Sequence, residues 1–320
     1  MAGVTDLVFR RFARQMGCAL TYTEFVSAAG MFFSPDKQSK HLEMDTDEKP
    51  VAVQIFGNNL EQLALAAKKV EDLGADILDI NMGCPVPKVV AQGAGAALLK
   101  NPVRIAEIIR TVKSAVKIPV TLKTRSGWDK ENINIIEVAR IAVEEGAAAI
   151  ALHPRTRSMG HTGKPDWSVI GEVKRAVSVP VIGNGGIETP LDAKQMLDET
   201  GCDFVMIGSA AMGDFWILKQ TVHFLETGEL LPDLTIEEKI SMALEHSRAH
   251  CAYWGEPHGA KQMRKYFTNY FKGFNGAGEL RRRLNAALSF AEIDGILRGT
   301  LSAELMLTEN AAKNSERSGR

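Results

Sequence analysis

Short apolar runs rich in Val and Ile alternate with amphipathic helical patterns over the first two-thirds of the chain. The runs are LTYTEFVSA from Leu20, PVAVQIFG from Pro50, ADILDINMG from Ala75, IPVTLKTRSG from Ile118, AAAIALHPR from Ala147, VPVIGNGGI from Val179 and CDFVMIGSA from Cys202. Helical periodicity falls between them, over Leu60–Leu73, Pro102–Val116, Asn132–Glu145, Asp166–Val177, Leu191–Glu199 and Phe215–Thr227. Several of these patterns end in LGAD, EEGAAA or ETGCD, where a glycine supplies a left-handed stop before the next strand. Continuous apolar strands alternating with helices predict a parallel sheet covered on both faces.

The fold class is therefore α/β. A (β/α)8 barrel has eight strands and this chain offers seven. The shortfall lies at the start, where MAGVTDLVFRRFARQMG reads as a helix N-capped at Thr5 or Asp6, with no strand before it. The expectation is a TIM barrel whose first strand is truncated. A doubly wound sheet has no such deficit, but its first turn should carry a Gly-x-Gly-x-x-Gly fingerprint, and none follows an early strand. After Thr227 the character changes. GELLPDLT reads as a linker, and from Ile236 to about Leu305 the pattern is helical only. TENAAKNSERSGR has no apolar period and reads as a disordered tail. The expected organisation is a barrel domain over 1–230, an all-helical domain over 236–305 and a tail over 306–320.

Composition narrows the class without naming a function. The chain is 45% hydrophobic and 24% charged, as in soluble globular proteins. A formal net charge of −1 gives no global reason to bind nucleic acid, so any basic surface must be local. One such place exists. Between Gly259 and Arg283 lie Lys261, Arg264, Lys265, Lys272, Arg281, Arg282 and Arg283 against the single acid Glu279. Lys261, Arg264 and Lys265 share a helix face, and the interleaved aromatics Tyr266, Phe267, Tyr270, Phe271 and Phe274 read as the core beneath it. Cys18, Cys84, Cys202 and Cys251 are widely spaced with no CxxC pair, which argues against a metal site and for a reducing, cytoplasmic setting. The early charges Asp6, Arg10, Arg11 and Arg14 exclude a signal peptide, and no apolar run approaches the ~20 residues of a membrane span. A monomer is expected.

In a barrel, polar residues at the C-terminal ends of strands face the active site. Those ends carry Glu24, Gln54, Asn81 and Cys84, Lys123 and Arg125, His153 and Arg155, Asn184, then Gly208 and Ser209. Cys84 stands out in DINMGCPVPK, because Gly83 and Pro85 place it at the tip of a rigid turn past a strand end. A free cysteine is otherwise a small buried hydrophobe. GNGGIETP and IGSAAMGDF suit backbone contacts to a phosphate, or simply tight turns.

MAGVTD, VQIFG, DINMGCP, LKTRSGW, LHPRTR, VIGNGGI and MIGSAAMG occur in that order, and together they resemble the tRNA-dihydrouridine synthases, from Met1 to about Leu297. The resemblance implies an FMN-dependent barrel with a helical tRNA-binding domain, reducing uridines in tRNA to 5,6-dihydrouridine. The flavin would be reloaded by NADPH or NADH. It implies Cys84 as the acid that protonates the ring carbon beside the one receiving hydride, carried by a mobile loop with Gly93 and Gly95 as pivots. It implies Lys123 beside the pyrimidine side of the flavin, with Gln54, Met1, Ala2 and His153 along the ring. Asn184, Gly185, Gly186, Gly208 and Ser209 would grip the phosphate. Asn81 and Arg125 would face the uridine, and Lys261, Arg264, Lys265, Arg281, Arg282 and Arg283 would contact RNA. The family usually has Arg where Ser209 stands, and NGD or HGRTR where this chain has NGG and HPRTR. Two alternatives remain open here: an FMN barrel acting on a free pyrimidine, as in dihydroorotate or dihydropyrimidine dehydrogenases, and an RNA-binding barrel that no longer catalyses.

Overall fold

The computed structural model describes residues 1–34, 38–274 and 276–301. The predicted tail over 306–320 and the last residues of the predicted helical domain lie outside that range. The chain divides into two compact units, one of Met1–Ser209 with Ile217–Glu229, the other of Ala210–Trp216 with the chain from Leu230 onward.

The first unit is built on parallel strands β1 (Thr21–Tyr22), β2 (Val26–Ser27), β3 (Val51–Phe56), β4 (Ile77–Met82), β5 (Val120–Arg125), β6 (Ala149–His153), β7 (Val181–Asn184) and β8 (Phe204–Met206). Both β1 and β2 pair with β3, so they occupy one position in the sheet, and the order then runs β3-β4-β5-β6-β7-β8. The predicted strand LTYTEFVSA is thus interrupted. At the break Glu24 turns away from the ladder, taking a hydrogen bond from the Val4 amide at 3.1 Å and holding His41 Nδ1 at 2.6 Å. Among the described residues no strand precedes the first helix, and β8 does not pair with β1. The result is a (β/α)-barrel-like sheet open on that side.

The helices of this unit are α1 (Leu7–Gln15), α2 (Ala28–Phe33), α3 (Leu60–Asp72), α4 (Pro87–Val90), α5 (Pro102–Ala115), α6 (Ile135–Glu144), α7 (Ser168–Ala176), α8 (Pro190–Thr200) and α9 (Trp216–Thr227), the last reaching into the second unit by one residue. Asp6 caps α1 by accepting from the Phe9 amide at 3.0 Å, and Thr189 with Asp192 forms a capping box on α8. The predicted stops Gly74, Gly146 and Gly201 all have positive φ, a conformation that a Cβ would strain. Val53, Ile55, Leu78, Ile80, Leu122, Ile150 and Leu152 are fully buried, as expected of strands covered on both faces.

The second unit holds α10 (Ile236–Trp254), α11 (His258–Tyr270) and α12 (Ala277–Ala286), with further helix over 290–301. Tyr266, Phe267, Phe271, His246 and His250 are wholly buried and Tyr270 nearly so, so four of the five aromatics interleaved with the basic residues are core, and Phe274 is half-buried. Ala210–Trp216 lies within the range expected for the barrel but packs with the helices. The Phe215 ring sits 5.1 Å from that of His246, and Gly213 lies so close to the Tyr266 carbonyl that a Cβ there would be 2.2 Å from it. Among the described residues no helix is long and apolar enough to cross a membrane.

Candidate active site at the barrel mouth

Register sets the site. Gln54 on β3 lies opposite Asp79 on β4, and Asp79 opposite Thr121 on β5. One layer nearer the C-terminal ends, Asn81 lies opposite Lys123, and above that Arg125 lies opposite His153. Side chains alternate along a strand, so Asp79 and Asn81 share one face of β4, and Thr121, Lys123 and Arg125 share one face of β5. Polar groups thus line up on faces whose neighbours are otherwise apolar.

The lower layer forms a hydrogen-bonded chain. Thr121 Oγ1 donates to Asp79 Oδ1 at 2.6 Å, and Gln54 Nε2 donates to Asp79 Oδ2 at 2.7 Å. Asn81 Nδ2 donates to Gln54 Oε1 at 2.9 Å. Asn81 Oδ1 then accepts from the amides of Gly83 at 3.2 Å and Cys84 at 2.9 Å. A buried carboxylate thereby connects to the turn that carries the thiol. Burial pushes the Asp79 carboxyl up to about 6, with Thr121, Gln54 and Lys123 opposing the rise.

Cys84 is 8% exposed and packs with Phe56, Val89 and Ala94, with Phe25 at the edge. The tip of the turn is therefore largely covered. The second half of the loop that follows packs against this turn: Ala96 N donates to the Cys84 carbonyl at 3.1 Å, and Ala94, Gly95, Ala96, Leu98 and Leu99 are buried, whereas Val86, Pro87, Lys88, Ala91 and Gln92 are exposed. The physical reason is residue size. A Cβ on Gly95 would lie 2.8 Å from the Cys84 carbonyl oxygen, so only a run of Gly and Ala lets this segment lie against the turn. Burial raises the thiol above its ordinary value, which keeps it protonated at neutral pH.

Lys123 stands on a strand whose neighbouring residues Leu122 and Thr124 are buried. Among the described residues no protein group accepts a hydrogen bond from its ammonium and no carboxylate forms an ion pair with it. Burial, and then the neighbouring Arg125, lower it to about 7, while Asp79 pulls the other way. Arg125 is tied into the surrounding loops through Nε and Nη1. Its guanidinium donates to the carbonyls of Gly83 at 2.9 Å, Thr156 at 3.0 Å and Gly160 at 2.7 Å, which ties the loops after β4, β5 and β6 together. It stays charged, although burial and Arg155 lower it to about 10.

His153 has one defined tautomer. Asn184 Nδ2 donates to the Met206 carbonyl at 2.7 Å, so Asn184 Oδ1 faces His153 Nδ1 at 3.1 Å and must accept from it. The other ring nitrogen, Nε2, accepts from Arg155 Nη1 at 3.1 Å. Burial, with Lys123 and Arg125 adding to it, lowers the ring to about 3, so it is neutral throughout the physiological range.

The glycines divide by environment. A Cβ on Gly185, whose φ is +103°, would lie 2.7 Å from His153 Cε1, and one on Gly186 would lie 2.8 Å from Pro165 Cγ. Those two admit close packing by protein. At Gly208 a Cβ would meet nothing nearer than 3.9 Å, where Asn184 Nδ2 and Met1 Sδ stand. Backbone is open to a ligand there, and the exposed Ser209 begins a short 3-10 turn beside it. Met1 and Ala2 lie in an exposed turn closed by Val4 N and Thr5 N on the Met1 carbonyl, both at 3.1 Å.

The basic residues of the helical unit fall into two groups. Arg281 Nη1 donates to the Phe271 carbonyl at 2.6 Å, Arg282 pairs with Glu279, and Lys265 donates to Gln262 at 2.6 Å. Lys261 and Arg283 are exposed, while Arg264 is half-buried and its Nε has no acceptor among the described residues.

The family model described as dihydrouridine synthase matches residues 1–304. The chain belongs to the dihydrouridine synthase family. The tRNA-dihydrouridine synthase B of Pseudomonas putida is 42% identical over 286 residues, covering 89% of this chain and 85% of its own. The corresponding protein of Vibrio vulnificus is 42% identical over 286 residues, covering 89% of each, and that of Pseudomonas aeruginosa 41% over 285, covering 89% and 86%. Membership makes this an oxidoreductase and sets it apart from the dehydrogenases of free pyrimidines left open above. Within this dihydrouridine synthase fold, sequence reasoning missed Asp79 and Thr121 as parts of the site. The available signal was a lone carboxylate among Ile77, Leu78 and Ile80.

Proposed function

We propose that this protein reduces uridines in tRNA to 5,6-dihydrouridine, with FMN as cofactor and NADPH or NADH as reductant. The observation that carries the reading is the Lys123 ammonium, without a protein anion among the described residues, one layer above a polar chain that ends on the Cys84 turn. The donor set fits a flavin mononucleotide. Lys123 is a cation in need of an anion, Gln54 and Asn81 are amides at the mouth, and Gly208 leaves backbone open to a phosphate. Gln54, Lys123 and His153, with Met1 and Ala2, would hold the ring system. Asn184, Gly185, Gly186, Gly208 and Ser209 would hold the phosphate.

A flavin held here would, once reduced, supply the hydride for one carbon of the uracil double bond. The protein's own part is proton delivery and orientation. Cys84 donates its thiol proton to the neighbouring carbon and recovers one from water. A positioned acid of this kind contributes about 10²–10⁴ in rate. Lys123 holds negative charge on the cofactor, as a fixed cation beside a flavin does. His153, locked as its Nδ1–H tautomer, does not compete as an acid. Arg125 keeps the three mouth loops in register, and Asn81 holds the Cys84 turn while facing the substrate side. The barrel domain over 1–230 carries this chemistry. The helical domain over 236–305 takes the RNA backbone, with Lys261, Arg264 and Arg283 the cations that the protein leaves most available.

The test is direct. Purified protein is given FMN, NADPH and an unmodified tRNA transcript, with free uridine and orotate in parallel, and the dihydro product of each is measured by mass spectrometry. Dihydrouridine in tRNA, with neither small pyrimidine turned over, is the expected result. Bound flavin with no dihydrouridine in any tRNA would overturn the reading.

A further inference from the structure

The polar chain from Thr121 to Cys84 has a direction. Ionised Asp79 only accepts, so Thr121 and Gln54 must both donate to it. Gln54 then has its carbonyl oxygen left for Asn81, and Asn81 has its own left for the amides of Gly83 and Cys84. Each link fixes the next. Gln54, Asp79 and Asn81 are buried, so a reversed amide would set donor against donor away from water and leave polar groups unpaired.

We infer that Asp79 is a positioning residue for the reaction: through Gln54 and Asn81, its carboxylate holds the turn that presents the Cys84 thiol. The inference rests on the reading of Cys84 as proton donor to uridine. Asp79 touches neither the thiol nor the mouth, and it acts three hydrogen bonds away. Three strands supply the parts, β3 with Gln54, β4 with Asp79 and Asn81, and β5 with Thr121. The turn depends on them because Asn81 Oδ1 is the acceptor for two consecutive amides at its tip.

Substitution of Asp79 by asparagine keeps the volume and removes one acceptor. One oxygen remains, and because the Thr121 hydroxyl can donate to it or accept from the new amide, charge no longer decides that Gln54 receives it. Where Gln54 loses, both amides invert, and Asn81 turns its Nδ2 toward the amides of Gly83 and Cys84, releasing the turn. The double variant Gln54→Glu/Asp79→Asn moves the carboxylate one link along, from β4 to β3. The relocated carboxylate accepts from the β4 carboxamide on one oxygen and from Asn81 on the other, so Asn81 again faces the turn with its oxygen. Thr121→Val removes a buried hydrogen bond to Asp79 and leaves the rest of the chain in direction.

The experiment follows alkylation of Cys84 by iodoacetamide in the flavin-free protein, read on its own peptide by mass spectrometry. It also measures kcat and KM for tRNA in the loaded enzyme, with a melting curve for every variant. For Asp79→Asn the expected result is Cys84 alkylation faster by about fivefold, a kcat lower by a similar factor and a KM for tRNA within about twofold. Thr121→Val should melt earlier but alkylate at the parent rate, and the double variant should return alkylation to the parent rate. Unchanged alkylation in Asp79→Asn, equal effects of Asp79→Asn and Thr121→Val, or no recovery in the double variant would each overturn the inference. If Asp79→Asn does not fold, the double variant decides, and its failure to fold or to protect Cys84 counts against the relay. A parent protein that reduces no uridine would sink the proposed function while leaving the alkylation series to judge the relay by itself.

Discussion

The barrel mouth and the basic face of the helical unit are both rich in cations, yet they use them differently. At the mouth Arg125 and Arg155 direct their hydrogen bonds to loop carbonyls and to His153, and Lys123 is left without a protein partner among the described residues. On the helical unit the cations that look most clustered in sequence are partly engaged, Arg281 with a helix-end carbonyl and Arg282 with Glu279. The difference teaches that a count of positive charges does not locate a ligand. What matters is which cation the fold leaves without an anion, and at the mouth that is a residue on a buried strand.

The sharpest test of the contrast is at the thiol. Cys84→Ala should retain flavin and lower uridine reduction by about 10²–10⁴, since only the proton donor is lost. Single-turnover oxidation of the reduced flavin by tRNA measures it. A rate equal to the parent's would mean that the covered position of Cys84, packed with Phe56, Val89 and Ala94, is its whole role.

Lys123 offers the next largest effect and a pH signature. Its free value is about 7, lowered by burial first and then by Arg125. An anionic ligand beside it raises that value, so ligand affinity is at full strength below about pH 7 and is lost as pH climbs through the raised value of the complex. Reduced FMN, whose ring is the anion beside Lys123, should bind less tightly at about pH 9 than at about pH 6.5 in an anaerobic titration followed by absorbance. Lys123→Met should weaken binding at the lower pH by about tenfold and flatten the dependence. A Lys123→Met variant that keeps the full pH dependence would place the titrating group elsewhere.

Much of this was legible in the sequence, for identifiable reasons. The predicted helices over 60–73, 102–116 and 215–227 match α3, α5 and α9 to within a residue or so at each end, because periodicity and Gly or Pro stops are local signals. The interruption at Glu24 was not legible, since its partners Val4 and His41 come from either side in sequence. Cys84, Asn81 and Lys123 were visible as polar residues at strand ends, whereas Asp79 gains its meaning only from register with Gln54 and Thr121 on neighbouring strands. Arg125 was visible as a strand-end arginine that the resemblance turns toward the uridine. Only tertiary geometry reveals the three carbonyls that occupy it.

The smallest effects separate the two kinds of arginine on the helical unit. Arg281 satisfies the carbonyl of Phe271 just past α11, where a helix end leaves acceptors unpaired. Arg281→Ala should therefore lower stability by about 1–2 kcal/mol in a denaturant titration, with little change in the salt dependence of tRNA binding. Arg283 is exposed in the last turn of α12 and its side chain makes no hydrogen bond or ion pair among the described residues. Arg283→Ala should leave the denaturation midpoint unmoved and reduce the slope of log affinity against log salt by about 0.7–0.9, the share of one phosphate contact. If instead Arg281→Ala flattens the slope and Arg283→Ala does not, RNA reaches the cation that the fold already uses. The distinction between engaged and available charge would then fail on this unit while it held at the mouth.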